Sequence, residues 1–266
     1  MVYKNTLKGL GPIEANIVAR LTYEKKRIVT LRDFDALFRL PSKVTRQAIY
    51  RLKKKNVLAS IKRGAYIFSP LEAGPAGVGV DELLVPQLFF PKKNYYVGYS
   101  TIFNYYGFTE QLFQTVYVLN TRMNRKRIIR GISYKFVKIA ENRMYGLETV
   151  KVRDTDVIVS SKERTLIDLL YFNKPVGGIG PACEIFVEVV KEKRCDIKKL
   201  VDYAVRFPNI TTRKRIGVLL EGLGFSDAVL RPLIKSVQKT AVSSLNGLRT
   251  GHLNKKWRVM VNDSRR

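Results

Sequence analysis

Residues 42–68 read SKVTRQAIYRLKKKN (42–56), VLASI (57–61), KRG (62–64) and AYIF (65–68), and this stretch decides the fold. The first segment predicts a helix. Ser42 stands at its start as an N-cap, and Val44, Ala48, Ile49 and Leu52 recur at helical spacing as a buried stripe. The second and fourth segments predict short strands joined by a basic glycine turn. Lys43, Arg46, Arg51, Lys53, Lys54, Lys55, Lys62 and Arg63 supply eight cations, and the stretch contains no acid. Acids that would pair with them at i,i+4 are missing, so the like charges repel unless an anion arrives. Helix, strand, basic turn and strand in this order predict the end of a winged helix-turn-helix, whose last helix lies in a groove of duplex DNA.

The residues before 42 fit the same expectation. Pro12 opens a helix with Ile13, Ile17, Val18 and Leu21 on one face. Ile28 to Thr30 is extended, and Thr30 caps a short helix that turns Leu31, Phe34, Leu37 and Phe38 inward. Leu40-Pro41 ends it, because proline disfavours helix at the residue before it. The spacing of the two later helices is that of a helix-turn-helix. The outward face of the 42–56 helix then carries Lys43, Thr45, Arg46, Gln47, Tyr50, Arg51 and Lys54. Thr45, Arg46, Gln47 and Tyr50 are the candidates for base edges. Lys43, Arg51, Lys54, Lys62 and Arg63 are the candidates for phosphates, which set affinity and salt dependence. The plain alternative is a solvated charged face.

The whole chain shares the bias. It has 266 residues and a formal net charge of +27, with 16 cations against 4 acids in residues 1–70. Nucleic acid is the first partner such a charge implies, ahead of an anionic membrane or an acidic protein. Cys183 and Cys195 are the only cysteines and His252 the only histidine. A disulfide framework and a Cys/His zinc site are therefore not expected. No run of about 18 uncharged apolar residues is present, and the N-terminus lacks the pattern of a signal peptide, so the expectation is a cytoplasmic protein with no membrane partner.

Gly and Pro residues punctuate 70–80 and predict a linker at 71–80 between a domain at 1–70 and a second at 81–266. The second domain alternates strands and helices, with an aromatic run from Tyr95 to Phe108, and turns helical from about 181. Ser160 and Glu163 have capping-box spacing, and Arg164 and Asp168 are i,i+4 ion-pair partners on the helix that follows. Asp196 and either Thr211 or Thr212 are N-cap candidates, and Trp257 to Val261 reads as a returning strand. The expected class is α+β: an N-terminal winged helix-turn-helix, a mixed α/β domain and a helical C-terminal part.

Other motifs are weaker. Arg122, Arg125, Lys126, Arg127 and Arg130 lie between two strands, where they form a solvated hairpin or loop, a second nucleic-acid contact or a site for an acidic partner. Arg213, Lys214 and Arg215 oppose the dipole at a helix start, which points to an anion or a partner there. The aromatic run is core or a stacking platform for single strands. Asp154-Thr155-Asp156 is a polar turn or the metal-holding pair of a nucleotidyltransferase. Gly177-Gly178-Ile179-Gly180 lacks the lysine and hydroxyl of a P-loop. No catalytic constellation emerges, and no enzyme activity, cofactor or metal is expected.

The order of these pieces resembles the AbiEi antitoxin family of type IV toxin–antitoxin (abortive infection) systems. The matching points are Arg63-Gly64-Ala65-Tyr66, the stretch Tyr95 to Phe108 (YYVGYSTIFNYYGF), and Val159 to Leu170 (VSSKERTLIDLL). Together they span about residues 10–175. The resemblance implies a DNA-binding N-terminal domain that represses its own operon at inverted repeats. It also implies a C-terminal domain that supports cooperative binding and counteracts a nucleotidyltransferase-like toxin. Under the resemblance the helix cations with Lys62, Arg63 and Gly64 are DNA contacts. A stand-alone regulator without a toxin, and an RNA-binding or RNA-processing protein using Tyr95–Phe108 and Asp154/Asp156, are the alternatives.

Overall fold

A computed structural model describes residues 9–69, 81–152, 155–245 and 251–261. The expected 71–80 linker and Asp154 lie outside the described residues. The class is α+β. Two units result, one of residues 1–94 with 127–133 and 149–157, the other of residues 95–126, 134–148 and 158–266.

The first unit opens with α1 (Pro12–Tyr23), β1 (Ile28–Thr30), α2 (Leu31–Phe38), α3 (Ser42–Lys54), β2 (Leu58–Lys62), β3 (Ala65–Phe68) and α4 (Val85–Phe89). The strands pair antiparallel in the order β1-β3-β2. A capping box starts α2: Asp33 N donates to Thr30 Oγ1, and Thr30 N donates to Asp33 Oδ2 at 2.8 Å. Two orphan amides are satisfied at once. Ile17, Val18, Leu21, Val29, Phe34, Ala48, Ile49, Leu52, Val57, Leu58 and Phe68 form one core.

In two helices the first position of the buried stripe lies one residue from the expectation, and the other three positions agree with it. In α1 the buried residues are Glu14, Ile17, Val18 and Leu21, and Ile13 is 40% exposed. In α3 they are Thr45, Ala48, Ile49 and Leu52, with Val44 only half-buried. Each stripe follows i, i+3, i+4, i+7 with a polar residue at its first position. Ser42 begins α3 rather than capping it, since Pro41 holds the N-cap position and no side chain caps there. Leu31 is 42% exposed rather than inward, and lies against Gly64.

The chain continues through β4 (Tyr95–Val97), α5 (Ser100–Phe103), β5 (Thr115–Asn120), β6 (Arg125–Ile129), β7 (Ile132–Lys138), β8 (Leu147–Val152) and β9 (Thr155–Ser160). These strands form one six-stranded sheet in the order β6-β7-β5-β4-β9-β8. β4 runs antiparallel to β5, with Tyr95 opposite Asn120, and parallel to β9, with Val97 opposite Val159. Six rings of the aromatic run, Tyr95, Tyr96, Tyr99, Phe103, Tyr106 and Phe108, are buried, and Tyr105 is exposed.

Helices α6 (Lys162–Tyr171), α7 (Ile179–Lys191), α8 (Ile197–Arg206), α9 (Ile210–Gly222) and α10 (Asp227–Val237) follow, α6 packing on α7, α8 and α9, and α10 on α8 and α9. Ser161, not Ser160, caps α6, and Glu163 instead accepts from the Asp196 amide at 3.0 Å. Asp196 caps α8 as expected, whereas α9 is capped by Asn209 rather than Thr211 or Thr212. The last described residues form a three-stranded sheet, β10 (Ser243–Ser244), β11 (His252–Asn254) and β12 (Val259–Val261), ordered β10-β12-β11. Trp257 precedes the returning strand and is fully buried against Gly217. Among the described residues, no helix is long and apolar enough to cross a membrane.

Candidate nucleic-acid interface

The phase of α3 sorts its polar side chains. With Thr45, Ala48, Ile49 and Leu52 turned inward, Lys43, Arg46, Gln47, Tyr50 and Lys54 share the opposite side and are all exposed. They too follow i, i+3, i+4, i+7 and i+11, one continuous stripe. Arg46 Nε donates to the Ser42 carbonyl at 3.1 Å, which directs the guanidinium along the first turn. The Lys54 ammonium lies 5.1 Å from the centre of the Tyr50 ring, and the ring is 57% exposed.

Two of the expected contacts are otherwise engaged. Thr45 is 5% exposed, and its hydroxyl donates to the Leu40 carbonyl at 3.4 Å. It belongs to the core face and does not reach outward as the sequence suggests. Arg51 remains on the surface but pairs with Glu14 at 3.1 Å. Lys55 Nζ donates to the Gly9 carbonyl.

The turn between β2 and β3 adds Arg63, which is exposed, and Gly64. Gly64 has φ +74°, and a Cβ there would lie 3.1 Å from Leu31 Cδ1. Both facts favour glycine, because a side chain would meet left-handed strain and the start of α2 together. The Gly64 carbonyl accepts from the Leu31 amide at 3.1 Å, tying the turn to α2. Lys62 is half-buried, its ammonium 5.3 Å from the centre of the Phe89 ring in α4. Arg127, from β6, brings its guanidinium to 5.6 Å from the centre of the same ring. Three segments far apart in sequence therefore meet at Phe89 within the first unit. Nothing in the order of residues announces that meeting.

The other basic residues divide. Arg122, Arg125, Lys126 and Arg130 are exposed. Of Arg213, Lys214 and Arg215, the middle residue does not join the anion or partner surface that their place at a helix start suggests, and the other two are half-buried. Lys214 is fully buried, and its ammonium donates to the carbonyls of Ala241 and Arg258 and to Ser243 Oγ. Burial lowers its pKa from 10.5. Arg213 donates to the Phe207 carbonyl, and Arg215 to those of Leu245, at 2.8 Å, and Leu170. These cations satisfy backbone acceptors that would otherwise be stranded.

Asp156 pairs with Lys151 at 2.8 Å, and its carbonyl accepts from Gln87 Nε2 at 2.7 Å. Among the described residues, no group of three or more His, Cys, Asp or Glu side chains is arranged to hold a metal. Cys183 and Cys195 are free thiols whose pKa values burial pushes up to about 11, so neither is a thiolate at neutral pH.

No protein-family model and no curated protein matches the chain. A solved structure does: the RV2827C protein from Mycobacterium tuberculosis is similar with a TM-score of 0.61 over 93% of this chain and 91% of that one, at 13% sequence identity. The likeness is one of fold, and it extends over nearly all of both chains.

Proposed function

We propose that this chain is a sequence-specific, duplex-DNA-binding transcriptional autorepressor and an antitoxin of AbiEi type, with no catalysis of its own. The observation that carries the DNA assignment is the outward stripe of α3. Lys43, Arg46, Gln47, Tyr50 and Lys54 stand exposed on one side of a helix that contains no acid. The element order α1-β1-α2-α3-β2-β3, with the sheet order β1-β3-β2, supports a winged helix-turn-helix in which α3 enters the major groove and the Lys62–Gly64 turn is the wing. Arg46, Gln47 and Tyr50 then meet base edges. Lys43, Lys54 and Arg63 meet phosphates, with Arg51 and Lys62 beside them.

The antitoxin assignment rests on the resemblance of the YYVGYSTIFNYYGF and VSSKERTLIDLL segments. The toxin it opposes would be a nucleotidyltransferase-like protein.

The deciding experiment is binding of the intact protein to its own upstream DNA and to a scrambled duplex across a salt series. The promoter is expected to win by about 10³-fold or more. Arg46→Ala with Gln47→Ala should erase that preference, while Arg63→Ala should weaken both duplexes alike. Equal binding to both duplexes by the unaltered protein would overturn the repressor. Co-expression with a neighbouring nucleotidyltransferase gene tests the antitoxin: restored growth supports it, and unrelieved toxicity leaves a stand-alone regulator.

A further inference from the structure

The geometry points to a second DNA-contacting element, the β6–β7 hairpin, which we infer continues the basic turn of residues 62–64 across Phe89 and grips the duplex backbone outside the bases that α3 reads. This rests on the DNA-binding assignment above.

Four observations carry it. First, Lys62 and Arg127 lie over one ring, 5.3 and 5.6 Å from its centre. The negative face of an aromatic ring attracts such cations and holds them in place. Arg127 of the hairpin therefore adjoins Lys62 of the turn, although 65 positions separate the two residues in the chain. Second, the part of the hairpin that belongs to the first unit, residues 127–133, carries Arg127 and Arg130 and no acid. Third, Arg127 Nε is buried without a hydrogen-bond partner. A stranded charged donor is costly, and an arriving phosphate can draw the guanidinium into a bonded arrangement.

The fourth observation is the outward face of the hairpin. Side chains alternate along a strand. Arg127 and Ile129 face inward in β6, half-buried and buried, while Lys126 and Ile128 face out with Arg130 following at the turn. Ile128 is 74% exposed between these two cations. An exposed isoleucine flanked by cations suits the minor groove, where apolar side chains meet sugars and base steps while cations take the phosphates on either side. Arg130 is held in the left-handed region, φ 53°, in the two-residue turn Arg130–Gly131, which fixes the tip. A general acidic protein partner would also attract the cations. It gives no reason for their continuity with the turn, so it becomes an outcome of the test.

The test uses the full-length protein with Lys126→Ala/Arg130→Ala, both at exposed positions, with Ile128→Ala, and with Arg127→Ala as the deeper variant. Circular dichroism checks that each folds. Loss of two phosphate contacts should reduce the slope of log K against log salt by about two, lower affinity for promoter and scrambled duplexes by the same factor, and leave the ratio between them unchanged. Hydroxyl-radical footprinting should lose protection only outside the bases read by α3. If Lys126→Ala/Arg130→Ala keeps the full slope and footprint while Arg46→Ala/Gln47→Ala erases the preference, the hairpin assignment is overturned and the DNA-binding assignment stands. If the unaltered protein binds neither duplex, the DNA-binding assignment itself falls. Retention of an acidic polypeptide such as polyglutamate by the hairpin, with no change on DNA, also overturns the hairpin assignment.

Discussion

Arg51 of α3 donates from Nη1 to Glu14 Oε1 of α1 at 3.1 Å; the carboxylate side chain is 3% exposed and the arginine 62%. The pair joins the candidate recognition helix to the first helix from the solvent side. Room for the carboxylate comes from Gly11, where a Cβ would lie 2.5 Å from Glu14 Oε2. Arg51 thus has a task in folding that Lys43 and Arg46 do not share.

Arg51→Ala should therefore destabilise the protein by about 1–2 kcal/mol, a value reduced from that of a fully desolvated pair because the arginine is solvated. The loss should shrink in the Arg51→Ala/Glu14→Gln double variant, where no buried charge is left alone. Urea unfolding measures both. Unchanged stability of Arg51→Ala would show that another cation takes its place.

Acid should weaken the first unit. Burial works against ionisation of Glu14 and Asp33, yet the hydrogen bonds and charges supplied by Arg51 to the one, and by Lys26 and Thr30 to the other, outweigh it. Both pKa values fall below their ordinary 4.5 and 3.8. A depressed carboxylate contributes stability that is complete above its unfolded pKa and drains away as pH falls through the lower folded value. Thermal stability should hold from neutrality to about pH 5 and decline below about pH 4. Glu14→Gln/Asp33→Asn should flatten that decline; a parallel curve would assign it to other groups.

Gly217 and Trp257 should be coupled. A Cβ on Gly217 would lie 2.1 Å from the indole of the fully buried Trp257, whose Nε1 donates to Glu221 Oε2 at 2.9 Å. Gly217→Ala should cost about 1–3 kcal/mol by overpacking. Trp257→Ala should cost about 3–5 kcal/mol by opening a cavity. In the Trp257→Ala background the alanine at 217 should be nearly neutral, and additive losses in denaturant melts would refute the coupling.

Arg164 should prove irreplaceable by lysine. Its guanidinium donates to Asp168 Oδ1 at 3.2 Å, to the carbonyls of Arg143 and Tyr145 at 3.1 and 3.3 Å, and to the Tyr96 hydroxyl at 3.0 Å. It and Asp168 are wholly buried. Burial alone raises the pKa of Asp168, against the pull of Arg164. Arg164→Met should cost about 3–5 kcal/mol, because it strands the aspartate. Arg164→Lys should recover little, since an ammonium lacks the planar fork. Arg164→Met/Asp168→Leu should be more stable than Arg164→Met alone. Equal melting of wild type and Arg164→Lys would contradict this account.

Spacing in the sequence was enough for several of these features. The i,i+4 pair of Arg164 and Asp168 was legible because both ends lie on one helix. The capping role of Thr30 and the basic turn at 62–64 were legible because local chemistry determines them. Thr45 and Glu14 lie a single helical step from the apolar residues that spacing assigns to the core. Polar side chains took core positions that hydropathy assigned to Val44 and Ile13, and the groups that satisfy them are the Leu40 carbonyl and the Arg51 guanidinium.

What the sequence by itself determined is the α+β class, the basic acid-free helix, and the order of helices and strands around it, since these follow from periodicity, capping and charge along the chain. Tertiary structure alone decided which cations are on offer to a partner. It turned Lys214 onto carbonyls contributed by residues 241 and 258, and it brought Arg127 to the ring already covered by Lys62. The physical reason is that a cation's availability depends on the acceptors and rings that fold against it, and those come from segments whose distance along the chain carries no information about their distance in space.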